Sequence, residues 1–437
     1  MICPNSARHS TGTNLKMMRI EKPILRIGFV PLTDCAPLVV AQEMGFFTEE
    51  GLAVDLVREG SWAGIRDKVA YGVFDAAQML APMPIATTLG IAGVRKPTIT
   101  ALSLDLNGNA ITVSTSLYEQ MCEALPAMVS DRKLSAKALK KVIDNRVKQG
   151  KDKLTFGIVF PTSMHNYELR YWMASAGIDP DHDVQLITVP PPHMVSFLKD
   201  KKLDGYCVGE PWNTVATLEK VGRTVITGYE IWNNSPEKVL GVNSDWADRH
   251  PNTHFALIRA VLRACDWIEK QEDCKQVVDL LAQERYVGAL PSVIGLTMCG
   301  KYQFELGKHP ELMPDFNVFG RFTATFPWRS HAVWFVTQMK RWGQVSADVD
   351  ERMIAEATYR PEIYRAAASE LGINFPTQDY KAEGTHAKSW SLFSDDRDEL
   401  TMGSDVWMDG QVFDPSKPSE YLARLCQASG GVTSSKT

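Results

Sequence analysis

The chain has 437 residues, long for one domain, so two lobes or two domains are expected. Hydrophobic residues make up 44% and charged residues 23%, an ordinary globular composition, and the net charge of −5 argues against the basic stripe of a nucleic-acid-binding protein. No apolar run approaches the ~20 residues that span a membrane as a helix.

The amino terminus, "MICPNSARHSTGTNLKMMRIEKP", lacks the basic start, apolar block and small-residue cleavage site of an export signal. It reads as a disordered polar leader, residues 1–24, on a cytoplasmic protein. The eight cysteines agree with that placement: none forms a CxxC pair, so neither a disulfide framework nor a zinc site is expected. His250 and His254 lie one helical turn apart, but Pro251 stands between them and no third ligand is evident.

Strand follows helix from Leu25 onward. Leu25–Val30 reads as a buried strand, and Thr33 and Asp34 as N-cap candidates for a helix over Pro37–Met44 that Gly45 closes. "LAVDLVRE", "SWAGIRDKVAYG", "VFDAAQML" and "PMPIATTLGIAG" continue as strand, helix, strand, helix. The pattern repeats in "KLTFGIVF", a helix beginning near Thr162, "VQLITV", "PPPHMVSFLKDKKL" and "DGYCVGE". Alternation at this spacing implies parallel sheets, and two such blocks imply two α/β lobes with a ligand cleft between them. The basic stretch 131–153 reads as a solvated amphipathic helix or a docking surface for a partner. From about Pro251 the pattern is helical; 379–405 is polar and irregular, a last short helix follows, and the final ten residues are expected to be disordered.

Five stretches put polar or aromatic groups where an α/β sheet binds ligands, beyond the carboxyl ends of its strands. In "EGSWAGIRD", Trp62 offers packing or an indole N–H, beside the backbone N–H groups of Ala63 and Gly64. "LDLNGNAITV" is an ordinary tight turn or a crossover that aims amide donors at the cleft. "FPTSMHNYELRYW" sets His165 in the first turn of a helix. "TVPPPHMV" with "YCVGEPWN" builds a rigid wall, with Glu210 able to hold a neighbouring base. "NNSPEKVLGV" puts Lys238 directly before a strand, where most lysines are solvated. No GxSxG, GxxxxGK[ST] or HExxH occurs, so the residues argue for a gripped polar ligand rather than catalysis.

Taken together, "LTDCAPLVVAQEMGFF", "GSWAGIRDKVAYGVFDAAQMLAPMP", "LNGNAITV", "HNYELRYWMASAGIDPDHDVQLITVPPPHMV", "DGYCVGEPWN" and "SPEKVLG" resemble the nitrate- and bicarbonate-binding proteins of ABC importers, the NrtA/CmpA family, over about residues 25–430. The resemblance implies a C-shaped, type II periplasmic-binding-protein-like fold with one oxyanion in the cleft. Lobe I would comprise 25–112 and 228–437, with a helical carboxyl-terminal extension, and lobe II 113–227. The ligand residues it implies are Trp62, Gly64, Asn109, His165, Pro191, Val208 and Lys238. The family's amide is usually Gln, so Asn109 is a methylene short. The bicarbonate binder has an acid where Lys238 stands. Nitrate and nitrite have no proton to donate and want only donors, so Lys238 points to those anions and no other cofactor.

A member without an export signal resembles the NasS-type cytoplasmic sensors. Such a sensor would hold a NasT-type RNA-binding antiterminator of the ANTAR class when ligand-free and release it on nitrate or nitrite. It would touch neither nucleic acid nor membrane itself. Two alternatives stay open at this point: the substrate-binding component of an ABC-type importer, and an enzyme on a similar fold acting in thiamin-pyrimidine synthesis.

Overall fold

A computed structural model describes residues 19–393 and 399–428. The expectations for the leader through 18 and for the tail beyond 428 lie outside the described residues. Residues 19–24, read above as part of that leader, are tied to the first lobe. The Glu21 carboxylate accepts from the Thr253 N–H (2.9 Å) and hydroxyl (3.0 Å), and Lys22 pairs with Asp75.

The strands, in chain order, are β1 (Ile24–Phe29), β2 (Ala53–Arg58), β3 (Ala76–Leu80), β4 (Thr98–Ser103), β5 (Leu106–Asn107), β6 (Asn109–Ser114), β7 (Thr155–Ile158), β8 (Gln185–Thr188), β9 (Gly205–Gly209), β10 (Gly222–Thr227) and β11 (Lys238–Asn243). They form two five-stranded sheets, β2-β1-β3-β11-β4 and β10-β6-β9-β7-β8. Helices follow the strands as the alternation predicts, for example Trp62–Ala70 after β2 and Met164–Ala174 after β7. The two-lobed α/β architecture is therefore as expected.

The sheets are not wholly parallel, and the exception positions the site. In the first sheet β11 runs antiparallel to both β3 and β4; in the second β6 runs antiparallel to β9 and β10. Each reversed strand is the first one laid down after the chain crosses from the other lobe. The crossing starts at the carboxyl edge of one sheet, where ligands bind, and lands on the same edge of the other. The first residue of each reversed strand thus faces the cleft. Lys238 opens β11 opposite Leu80, the last residue of β3, and Asn109 opens β6 opposite Gly209, the last residue of β9. The chain enters the second sheet at Asn109, slightly before the boundary drawn at 112. At the crossing Asn107 (φ 64°) and Gly108 (φ 93°) adopt the left-handed conformation that asparagine and glycine tolerate best.

The carboxyl-terminal helices do more than extend lobe I. Tyr359 donates its hydroxyl to the Ala81 carbonyl in the first lobe (2.7 Å). Helix Arg329–Arg341 meets the second lobe, where the Tyr167 and Trp334 rings pack edge to face and the Tyr167 hydroxyl reaches Gln344 (2.7 Å). Part of the segment read as irregular forms a small hairpin, Trp390–Phe393 with Glu399–Met402.

Two expectations are corrected here. Thr33 and Asp34 do not cap the first helix: its N-cap is Cys35, with no side-chain cap, and Asp34 turns inward. Cys274 and Cys299 are disulfide-bonded, their Cα atoms 5.4 Å apart, where no disulfide was expected. They escape a spacing rule because they sit at opposite ends of two short packed helices, Lys275–Leu281 and Pro291–Met298.

Candidate functional site

The helix at Trp62 starts where Ser61 caps it by accepting from the Gly64 N–H (3.2 Å). That N–H, expected to face an anion, is therefore already used. The cap fixes Trp62 as the first helical residue and buries its ring, and the indole Nε1 has no hydrogen-bond partner. Ser163 caps the next cleft helix in the same way, by accepting from Asn166 N–H (3.1 Å). His165 follows in the first turn, fully buried, with no hydrogen-bond partner on either ring nitrogen. Its Nδ1 lies 3.3 Å from Glu237 Oε1, but without the alignment of a hydrogen bond. Burial, and then the Lys238 charge, hold the imidazole well below its usual pKa, so the ring is neutral.

Lys238 is buried at the cleft edge with its ammonium 5.4 Å from the centre of the Trp62 ring. It pairs with Asp34 (Nζ–Oδ2 2.8 Å) and with its neighbour Glu237. Two of its three N–H groups are thus engaged, and one remains to give. Although burial opposes its charge, the carboxylates of Asp34, Glu237 and Asp105 raise its pKa, so it stays protonated. Gln78 holds the far side of Asp34: its amide donates to Asp34 and its carbonyl accepts from the Val30 N–H (2.8 Å). Asp105 accepts from the Lys238 backbone N–H (2.8 Å).

Asn109 does not offer its amide N–H groups to a ligand. Its Nδ2 donates to Glu168 Oε2 (3.0 Å) and to Glu237 Oε2 (2.5 Å), a bridge between the lobes, while its Oδ1 has no partner. Burial raises both acids: Glu168 is pushed up to about 8, with the Glu237 charge adding to it, and Glu237 up to about 7 despite Lys238. Pro191 and Val208 are buried after β8 and in β9. The Val208 carbonyl accepts from Asn213 (2.8 Å), and neither residue enters the polar contacts of this cluster among the described residues.

Of the seven residues singled out in the sequence, Trp62, His165 and Lys238 hold donors still to be used, and Asn109 joins them as a bridge. Four further residues carry the geometry: Asp34, Gln78, Glu168 and Glu237. Glu168 stands three residues after His165, on the same helix face, and Glu237 precedes Lys238 directly, so both were within reach of a spacing argument. Glu210, read as a support for a base, instead accepts from the Thr214 N–H (3.2 Å) and the Tyr302 hydroxyl (2.9 Å). Among the described residues no cluster of His, Cys, Asp and Glu could hold a metal ion.

The unpartnered donors of Trp62 and His165 and the remaining N–H of Lys238 converge between two α/β lobes. The fold and this arrangement define a class: a two-lobed α/β protein of the substrate-binding-protein type, with donors turned into the cleft between its lobes. Comparison with known proteins makes the class specific. The chain belongs to the NMT1-like family, whose model matches residues 19–282, and within it to the nitrate/nitrite-binding proteins of the NrtA/CmpA type. It is 30% identical over 427 residues to the nitrate/nitrite binding protein NrtA of Nostoc sp., covering 97% of this chain and 90% of that one. It is 39% identical over 411 residues to the nitrate import ATP-binding protein NrtC of Synechocystis sp., covering 93% of this chain but 56% of the relative. The chain thus spans about half the length of the first curated relatives it matches. The crystal structure of the periplasmic nitrate-binding protein NrtA from Synechocystis superposes with a TM-score of 0.79 at 27% identity, over 93% of this chain and 99% of that one.

These relatives overturn the regulatory expectation. They are named as import components and as a periplasmic binding protein, so the cytoplasmic placement, the NasS-type sensor and its NasT-type antiterminator partner are withdrawn. That expectation rested on the leader and the cysteine pattern.

Proposed function

We propose that this chain is the extracytoplasmic anion-binding component of an ABC-type importer, and that nitrate or nitrite is its ligand. The observation that carries the reading is the set of unpartnered buried donors: Trp62 Nε1, the His165 ring, and the remaining N–H of Lys238. A planar oxyanion has several acceptor oxygens and no donor, so it matches this set. Lys238 supplies the positive charge, and Asp34 with Gln78 fixes where that charge sits. The names of the relatives support the ligand and imply membrane-embedded and ATP-hydrolysing partners. The Cys274–Cys299 bond suits an oxidising compartment.

Calorimetric titration of the purified chain with nitrate and with nitrite tests the ligand. Saturable binding of either, weakened in Trp62→Phe and His165→Ala, is expected. A folded chain that binds neither at millimolar concentration overturns the reading. The transport role is tested in proteoliposomes holding the import complex, where the chain with its anion should stimulate ATP hydrolysis and the chain alone should not.

A further inference from the structure

One contact between the lobes is not explained by the anion-facing residues. Thr33, in the loop after β1, donates its backbone N–H to the carbonyl of Glu210 (2.9 Å), just past β9 in the other sheet. Among the described residues it is the one backbone hydrogen bond between residues 24–104 and 109–227. The Thr33 hydroxyl lies 3.4 Å from the same carbonyl. The two loops meet closely here: a Cβ on Gly209 would stand 3.4 Å from Asp34 Oδ2 and 3.6 Å from Leu32 Cδ1. Glu210 is buried and held independently of Thr33. Its own N–H donates to the Gly108 carbonyl in the crossing (3.2 Å), and its carboxylate accepts from the Thr214 N–H and the Tyr302 hydroxyl. The acceptor that Thr33 meets is therefore fixed in place.

We propose that Thr33 is a positioning residue that latches the cleft: its N–H, given to the Glu210 carbonyl, joins the lobes over the bound anion and sets how long the anion stays. The proposal rests on the anion-binding reading above. Trp62, His165 and Lys238 are all buried, so an anion held by them leaves only when the contacts that cover them part. Thr33 also bears on the charge. Its neighbour Asp34 takes Lys238 Nζ at 2.8 Å and the Gln78 amide, so the loop that Glu210 anchors is the loop that aims Lys238. A second contact crosses the lobes, Arg66 over the Phe160 ring at 5.7 Å; it comes from the Trp62 helix and does not involve the Asp34 loop. The local backbone offers a direct way to remove the latch. Thr33 is the first residue of a short 3-10 turn, and Leu32 before it is extended, at φ −132° and ψ 158°. Proline suits the first position of a helical turn after an extended residue.

Thr33→Pro thus keeps the turn, removes the N–H and sets the ring Cδ against the Glu210 carbonyl. The test follows nitrate release from the intact chain, loaded with sodium nitrate and then rapidly diluted. Thr33→Pro is expected to release nitrate at least about tenfold faster than wild type, with its urea unfolding midpoint not lowered. Thr33→Ala keeps the N–H and should release nitrate near the wild-type rate. Equal release from Thr33→Pro and wild type would sink the latch, and a lowered midpoint with release unchanged would make the bond a structural one only. Release from Thr33→Ala as fast as from Thr33→Pro would assign the effect to the hydroxyl and overturn the backbone role. The wild type gives a second reading that needs no variant to fold: saturating nitrate should slow deuterium exchange at the Thr33 amide. Exchange there that nitrate leaves unchanged overturns the latch while leaving the anion reading intact. A wild-type chain that binds no nitrate takes the anion reading down, and the latch with it.

Discussion

Lys238 Nζ lies 2.8 Å from Asp34 Oδ2, and neither side chain reaches solvent. The pair joins the loop after β1 to the first residue of β11, so it welds the start of lobe I to its return strand. A buried charge stripped of its partner costs about 3–5 kcal/mol. Asp34→Asn removes the charge that Gln78 positions and leaves Lys238 with Glu237 alone. Its expected loss in urea denaturation sits toward the lower end of that range, because Glu237 remains. The triple variant Asp34→Asn, Glu237→Gln, Lys238→Met removes all three paired charges and should recover much of the stability while binding no nitrate. Recovery of stability together with nitrate binding would show that Lys238 does not face the ligand.

Trp62→Phe separates the indole N–H from the ring. Phe keeps the apolar face beside Lys238 and removes only an N–H that nothing in the protein accepts. A hydrogen bond to a charged group contributes about 1.5–3 kcal/mol, so nitrate affinity should fall about 10- to 100-fold with thermal stability nearly unchanged. Unchanged affinity would remove Trp62 from the site.

Much of this was legible in the sequence because the relevant signals are local. The alternation of apolar strands and capped helices gave two α/β lobes, and Ser61 and Ser163 mark the helix starts that present Trp62 and His165. What stayed hidden was set by long-range pairing. Asp34 carries an N-cap pattern, and only the reversed strand β11 brings Lys238 to it across the sheet. The amide of Asn109 looked like a ligand donor because nothing local shows that Glu168 and Glu237 claim it from both lobes. Cys274 and Cys299 form no spacing motif, since helix packing and not sequence distance brings them together. Compartment was the least legible property, because only a polar leader and a cysteine pattern bear on it and the fold does not.

His254 gives the acid side of the stability profile. It is buried against Trp246, ring centroids 5.9 Å apart and edge to face, and burial followed by the Arg360 charge lowers its pKa from 6.5 to about 4. The unfolded chain protonates this histidine below its ordinary value while the folded chain resists until about 4. The stability that depends on the neutral ring is present above pH 6.5 and is lost as pH falls toward about 4. The full window corresponds to about 3 kcal/mol. His254→Leu fills a similar volume and does not titrate, so its unfolding free energy should decline less steeply than that of the wild type. Parallel profiles for the two would show that the ring is solvated in the folded chain.

The Cys274–Cys299 bond closes a loop with a sequence separation of 25 and staples the helices Lys275–Leu281 and Pro291–Met298 end to end. These helices lie against the first helix of lobe I: Tyr286, in the loop between them, donates to Glu43 and packs on Phe29 of β1. Loop-closure entropy for such a span gives about 3–4 kcal/mol of stabilisation through the unfolded state. Cys274→Ser, and equally the wild type under strong reductant, should therefore melt at lower temperature, with the two changes not adding. The interlobe cleft is built from other strands, so nitrate affinity at low temperature should be unchanged. The same experiment bears on compartment. A thiol count on chain isolated without reductant should find this pair oxidised if the protein matures outside the reducing cytoplasm, and two additional reactive thiols would count against export.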